Sequence, residues 1–287
     1  MTNAALLQTV HVNGIDFAYY EQGQGPLLLC LHGFPDTAET FLDIAPAFAD
    51  AGYRVVMPFM RGYYPTTLSD RGDYSMLAVG RDVLALIDAF RGDSPAYVLG
   101  HDWGGMAAIA AANLEPAAIA RMVVSSAPHM LHSAMTGAQL RKSWYVLFFQ
   151  LPGFPEWRVP LDNFSFIDRL YAAWSPNWDA RQWHTGAVKK ALGMPGVLSA
   201  ALGYYRAMVR GSTREQRALL NRPTTVPTLV VCGEVDGSVG IDQFDDVARA
   251  YTGGARCLRL PQVGHFPHRE APDAVALAVL DFLAEAT

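Results

Sequence analysis

The chain of 287 residues is poor in cysteine and lysine and has no long apolar run. Its three cysteines, Cys30, Cys232 and Cys257, are odd in number and far apart in sequence. That argues against a disulfide framework or a zinc site and predicts three buried free thiols in a reducing compartment. Lysine supplies only 3 of the 22 basic residues, and the 19 arginines form no basic run. Against 27 acidic residues the net charge is −5, so the basic stripe of a nucleic-acid binder is missing. No apolar stretch reaches the roughly 18 residues needed to cross a bilayer. Met1 to Gly14 shows neither the basic nor the apolar region of a secretory signal. A cytoplasmic protein without a membrane span is therefore expected. What the chain does have is apolar bulk, 51% hydrophobic against 17% charged residues. That suffices for a large core and does not fit a disordered chain. Five of the six tryptophans fall between Trp144 and Trp183.

The first part of the chain alternates strand and helix patterns. Val10–Val12 and Ile15–Tyr20 flank Asn13-Gly14, a strong hairpin signal. Short apolar strands follow at Leu27–Leu31, Arg54–Met57, Ala96–Leu99 and Met122–Ser125, with helical spacing over Thr37–Ala51, Leu77–Phe90 and Gly105–Leu114. The pattern changes at Pro128. To about Pro223 it reads as short helices broken by Pro152, Pro155, Pro160, Pro176 and Pro195. Alternation then resumes with strands at Pro227–Cys232 and Cys257–Leu260 and helices at Gln243–Tyr251 and Asp273–Ala284. The prediction is an α/β fold with a mostly parallel sheet flanked by helices. Residues 1–129 and 223–287 would form one core, with 130–222 as an inserted helical block.

Gly100-His101-Asp102-Trp103-Gly104-Gly105 follows the Ala96–Leu99 strand and opens a helix of small residues. Small residues around a central nucleophile make a sharp strand-to-helix turn that lifts the central side chain above the sheet edge. Here that residue is Asp102, and no Gly-x-Ser-x-Gly occurs anywhere, which argues against a serine esterase. A carboxylate is ionised at neutral pH and needs no base to attack an electrophilic carbon. The resulting ester needs a base to activate water. Gly264-His265-Phe266 lies beyond the last strand, making His265 the candidate, with His268 its rival. Gly233-Glu234-Val235-Asp236-Gly237 leaves the C-terminal end of an apolar strand, where active residues of such sheets collect. Asp236 is the preferred orienting acid; Glu234, Asp242, Asp245 and Asp246 are alternatives. His32-Gly33-Phe34-Pro35 follows the Leu27–Leu31 strand. The Phe34 and Trp103 N–H groups would form an oxyanion hole, since Pro35 has no N–H. Gly23-Gln24-Gly25 lacks the rest of a phosphate loop. His129 and His132 lack acidic partners for a metal.

These motifs resemble the α/β-hydrolase superfamily over essentially the whole chain, and within it the soluble epoxide hydrolases. The likeness rests on Gly-His-Asp-Trp-Gly-Gly, His-Gly-Phe-Pro, Arg61-Gly62-Tyr63, Gly233-Glu234-Val235-Asp236 and Gly264-His265-Phe266. The resemblance implies a helical cap with two tyrosines whose phenols hold the epoxide oxygen. Trp144-Tyr145-Val146 looks like the first tyrosine motif and Gly203-Tyr204-Tyr205-Arg206 the second, implying Tyr145 and Tyr205, with Tyr204 the alternative. The chain departs from the family at Met60 and at Tyr64-Pro65-Thr66, in a loop that shapes the pocket.

The expected activity is hydrolysis of a small apolar epoxide to a vicinal diol, with water as the second substrate and no cofactor or metal. His32, Pro35, Trp144, Tyr204, Phe149 and Phe266 are expected around the pocket, with the tryptophan-rich block as its wall. A dehalogenase with the same Asp-His-Asp set, or a non-enzymatic ligand-binding protein, is the alternative. Monomer and homodimer are both open.

Overall fold

The computed structural model describes residues 6–285, apart from 93, 132–135, 180, 182–183 and 212. Eight strands form one sheet: β1 (Gln8–Val12), β2 (Ile15–Gln22), β3 (Leu27–Leu31), β4 (Arg54–Pro58), β5 (Ala96–His101), β6 (Ile119–Ser125), β7 (Thr228–Gly233) and β8 (Ala255–Leu260). Their order is β1-β2-β4-β3-β5-β6-β7-β8. The Asn13-Gly14 turn, with φ of 49° and 73°, joins β1 to β2 as an antiparallel hairpin. The β2–β4 pair is also antiparallel, and every pair from β4 through β8 is parallel.

Parallel strands with helical crossovers are covered on both faces and carry continuous apolar runs. Every residue of β3 and β7 is buried. The Met76–Phe90 and Trp103–Leu114 helices pack together, as do Ala45–Asp50 and Pro272–Leu283. Between β6 and β7 the described elements are helices, including Gly137–Lys142, Trp144–Phe148, Leu161–Trp174 and Val197–Val209. Among the described residues no helix is long and apolar enough to cross a membrane.

Two predicted helices are broken. Thr37–Ala51 splits into a 3-10 turn at Ala38–Phe41 and a helix at Ala45–Asp50. Pro46 stands in the first turn of the second piece, because a proline ring inside a longer helix would clash with the preceding turn. Gln243–Tyr251 splits into Ile241–Phe244 and Val247–Ala250, separated by Asp246 at φ 55°.

The cysteines also correct the expectation. Cys30 and Cys232 are buried, but Cys257 is exposed, because β8 is the edge strand. Cys232 and Cys257 lie on neighbouring strands with their sulfurs 4.0 Å apart, and both are free thiols.

Candidate active site

The sheet brings three strand exits together. Asp102 stands between β5 and the Trp103–Leu114 helix at φ 51°, ψ −119°. This is left-handed backbone, strained for a residue with a side chain. Its N–H donates to the Ser125 carbonyl at the end of β6, 2.9 Å away. The turn works only with glycine beside it. A Cβ on Gly104 would stand 2.0 Å from the Leu31 carbonyl oxygen, and one on Gly33 would stand 2.4 Å from Asp102 Oδ1.

The Phe34 N–H donates to Asp102 Oδ1 at 2.8 Å. Trp103 opens the helix, so its N–H is among those without an intrahelical acceptor, at the positive end of the helix. The loop carrying Phe34 is held by His32, whose Nε2 accepts from Met60 N at 2.9 Å and whose Nδ1 donates to Gly33 O at 3.0 Å. The Arg61 side chain forms a buried, two-pronged pair with Asp82, at 2.6 and 2.7 Å. The Arg61 carbonyl accepts from the Tyr204 hydroxyl. The Met60–Tyr63 loop thus ties the sheet to the Val197–Val209 helix, which carries Tyr205.

His265 leaves the end of β8 and is fully buried. Its Nδ1 donates to Asp236 Oδ2 at 2.8 Å. Its Nε2 lies 3.7 Å from Asp102 Oδ2 and has no hydrogen-bond partner among the described residues. Asp236 is buried, and its other oxygen accepts from Ser238 N at 2.6 Å and Val239 N at 3.0 Å. The Trp174 carbonyl accepts from both Gly237 N and His265 N, at 3.1 Å each. Glu270 accepts from Gly264 N at 2.7 Å, Phe266 N at 3.0 Å and the Ser175 hydroxyl at 2.6 Å. His265 is thereby fixed from both sides in sequence.

Burial alone would push the His265 imidazole down, but the Asp236 and Asp102 carboxylates outweigh it and push it up to about 10. The two carboxyl groups beside it therefore favour the protonated form of the imidazole. Removing one of them in Asp102→Asn should bring the His265 titration midpoint down from about 10. An NMR titration of the imidazole checks this; an unchanged midpoint would mean that Asp236 alone sets it.

Above these residues lies a cavity of about 200 Å³. Asp102, Trp103, Tyr145, Tyr205 and Ser238 reach it, and its remaining wall is mostly apolar, with Met106, Met130, Val146, Leu147, Met208 and Val239. Tyr145 comes from the Trp144–Phe148 helix and Tyr205 from Val197–Val209. The two rings pack edge to face with centroids 5.8 Å apart. Burial, and after it the Asp102 charge, raises both phenols above their ordinary value, so both are neutral donors at pH 7.

The alpha/beta hydrolase fold family matches residues 26–272. The chain belongs to that family. It is 29% identical to an AB hydrolase superfamily protein of Bacillus subtilis, YfhM, over 96% of this chain and 97% of that protein. It is equally 29% identical to human Epoxide hydrolase 4, over 96% of this chain and 77% of the relative. Among solved structures, Epoxide Hydrolase A from Mycobacterium thermoresistibile superposes with a TM-score of 0.79 at 25% identity, covering 98% of each chain. The likeness within the family is thus to its epoxide hydrolase branch.

Other residues of this alpha/beta hydrolase stand apart from the cavity wall. Trp144 is half exposed and packs on Phe148 and Phe166, because Tyr145 takes the inward side of the same short helix. Phe149 and Phe34 form the layer behind Tyr205, with centroids 5.1 and 5.4 Å from its ring. Tyr204 points away from Asp102 to bond the Arg61 carbonyl at 2.8 Å, so Tyr205 is the one facing the cavity. Phe266 stacks on Tyr171 at 4.5 Å, and the Pro35 carbonyl accepts from the Tyr171 hydroxyl. His32 is spent on the loop bonds given above. The expected tryptophan wall is also corrected: among the described tryptophans only Trp103 lines the cavity, and it lies outside the cluster. Trp174 packs instead against Tyr145 and His265, and Trp157 is exposed.

His268, the rival base, is buried behind the site with Nε2 2.6 Å from Thr40 Oγ1, and burial lowers its basicity strongly. Glu234, Asp242, Asp245 and Asp246 are exposed. His129 contacts Thr224 Oγ1 at 3.2 Å; His132 and Trp183 lie outside the described residues. Ser238 and Glu270 had no motif to announce them, although Glu270 stands in the first turn of a helix opened by Pro267, five residues after His265.

Proposed function

We propose that this protein is an epoxide hydrolase acting through a covalent ester on Asp102. The single observation behind this reading is that Asp102 shares one apolar cavity with two inward tyrosines and abuts a buried His265–Asp236 pair. The helical block over residues 130–222 serves as the cap, and the relatives named epoxide hydrolases support the same reading.

An Asp102 carboxylate oxygen attacks a ring carbon of the epoxide. The ring C–O bond breaks and its electron pair stays on the oxygen, which takes a phenol proton. Tyrosine suits this step because a neutral phenol donates without adding a charge to an apolar pocket. Esterification also removes the Asp102 charge. That loosens the hold on the His265 proton, which passes to the phenolate and leaves a neutral imidazole and a neutral phenol. Neutral His265 then takes a proton from water as the water oxygen attacks the Asp102 carboxyl carbon. The oxyanion forms where Phe34 N–H already donates, joined by Trp103 N–H. The acyl C–O bond breaks, the diol oxygen takes the proton from His265, and the second water proton, left on the carboxyl group, passes to His265, which restores the Asp102 carboxylate and the protonated imidazole. These steps call for no metal or organic cofactor. The apolar wall points to a moderately hydrophobic epoxide.

A dehalogenase would use the same carboxylate and base but needs N–H donors aimed at a departing halide. The Trp103 indole N–H is buried without a partner among the described residues, which favours that reading. The other described tryptophans do not line the cavity, whereas two phenols do, so epoxide opening is preferred. With styrene oxide and a matched series of haloalkanes, diol formation should exceed halide release. Faster halide release would reverse the assignment.

A further inference from the structure

The two phenols of the cavity are not equivalent. Tyr205 Oη is buried with no hydrogen-bond partner among the described residues. Tyr145 Oη lies 2.9 Å from the Ser238 hydroxyl oxygen, and both groups are buried. Ser238 is two residues beyond the triad acid, and its backbone N–H donates to Asp236 Oδ1. Its carbonyl accepts from Gln139 Nε2 at 2.9 Å, while Gln139 Oε1 accepts from Gly240 N at 2.8 Å. Lys142 Nζ donates to the Asp236 carbonyl. The acid turn is thus bonded to the Gly137–Lys142 helix, and the Ser238 hydroxyl is set at one distance from one phenol.

The Tyr145 phenol is the hydrogen-bond partner of the Ser238 hydroxyl among the described residues, and that bond has one useful direction during ring opening. The phenol proton must go to the epoxide oxygen, so the Ser238 proton goes to the phenol oxygen. We propose that Ser238 is a positioning residue for ring opening: its hydroxyl donates to Tyr145 Oη and aims the Tyr145 proton at the leaving epoxide oxygen. This inference rests on the epoxide hydrolase reading. As the ring C–O bond breaks, its electron pair stays on the epoxide oxygen, which takes the Tyr145 proton. The O–H pair remains on the phenol oxygen, and the Ser238 hydrogen bond stabilises the charge that builds there. A hydrogen bond to a charged acceptor is stronger than one to a neutral acceptor, so Ser238 favours the transition state over the ground state. The same bond counters the effect of burial and of the Asp102 charge on the Tyr145 phenol. Tyr145 is then the proton donor, and Tyr205 holds the oxygen in place.

The test separates the two chemical steps. Ring opening is followed in the His265→Gln background by rapid quench and intact-protein mass, using styrene oxide. Ester hydrolysis is followed as decay of the adduct in protein that retains His265. Ser238→Ala should slow ring opening by about tenfold, the weight of one charge-assisted hydrogen bond, and leave hydrolysis within about twofold of its original rate. In a Tyr145→Phe background the same change should add less than about twofold. Ser238→Thr should keep most of the rate and the equally shaped Ser238→Val should not. A loss shared equally by both steps would assign Ser238 to holding Asp236, and a full loss in the Tyr145→Phe background would remove Tyr145 from the account; either overturns the proposal. Absence of diol from the unaltered protein across an epoxide panel would instead overturn the reading beneath it, and the proposal with it.

Discussion

In His265→Gln, diol formation falls by ~10⁴-fold while one equivalent of epoxide is still consumed. The side chains proposed to open the ring are untouched: Asp102, Tyr145 and Tyr205 all reach the cavity. Glutamine can still bond Asp236 through its amide, so the buried carboxylate is not left bare. What it cannot do is take a proton from water. The ester therefore forms and stays, and a proteolytic peptide containing Asp102 gains the mass of the epoxide. The 3.7 Å gap between His265 Nε2 and Asp102 Oδ2 puts the proposed base beside the carboxyl carbon that water would attack. Normal turnover by this variant would remove His265 from the role of base.

The second large effect belongs to the phenols. Preorganised donors aimed at a developing oxyanion are worth ~10²–10³ each, so Tyr145→Phe/Tyr205→Phe should slow ring opening by ~10⁴ or more. Hydrolysis of an ester already formed should be nearly unaffected, because the Phe34 and Trp103 N–H groups serve that step. Tyr204→Phe is the control. Its hydroxyl bonds the Arg61 carbonyl outside the cavity, so its loss should reduce thermal stability by about 1 kcal/mol and change the chemistry little. Rapid-quench rates for the two variants decide the matter. Equal loss from Tyr204→Phe and the double variant would mean that both act by packing.

Much of the fold was legible because its signals are local. The Asn13-Gly14 hairpin, the apolar runs of β3 and β7 and the small residues after Asp102 each report on a few neighbouring positions. The topology then follows, since short parallel strands require helical crossovers. The same locality explains why Asp102, Asp236 and His265 stood out: each leaves the C-terminal end of a strand, and adjacent parallel strands carry such exits to one edge. What stayed hidden depends on which way a side chain turns. Trp144 and Tyr145 are consecutive, yet only Tyr145 turns inward. Tyr204 and Tyr205 differ in the same way, and the deciding partner, the Arg61 carbonyl, is 143 residues distant. The Cys232–Cys257 neighbourhood and the Ser238–Tyr145 contact likewise arise from pairings across the chain. A serine in a loop carries no pattern that reveals its acceptor.

A single turnover in water enriched in oxygen-18 decides whether the covalent ester on Asp102 forms. With enzyme in excess over styrene oxide, the proposed mechanism has water attack the Asp102 carboxyl carbon and not the substrate. The first diol released should therefore carry unlabelled oxygen, and mass spectrometry should find the label in the peptide containing Asp102. Label in the first diol, with none on Asp102, would mean that water opens the ring directly and would contradict the account.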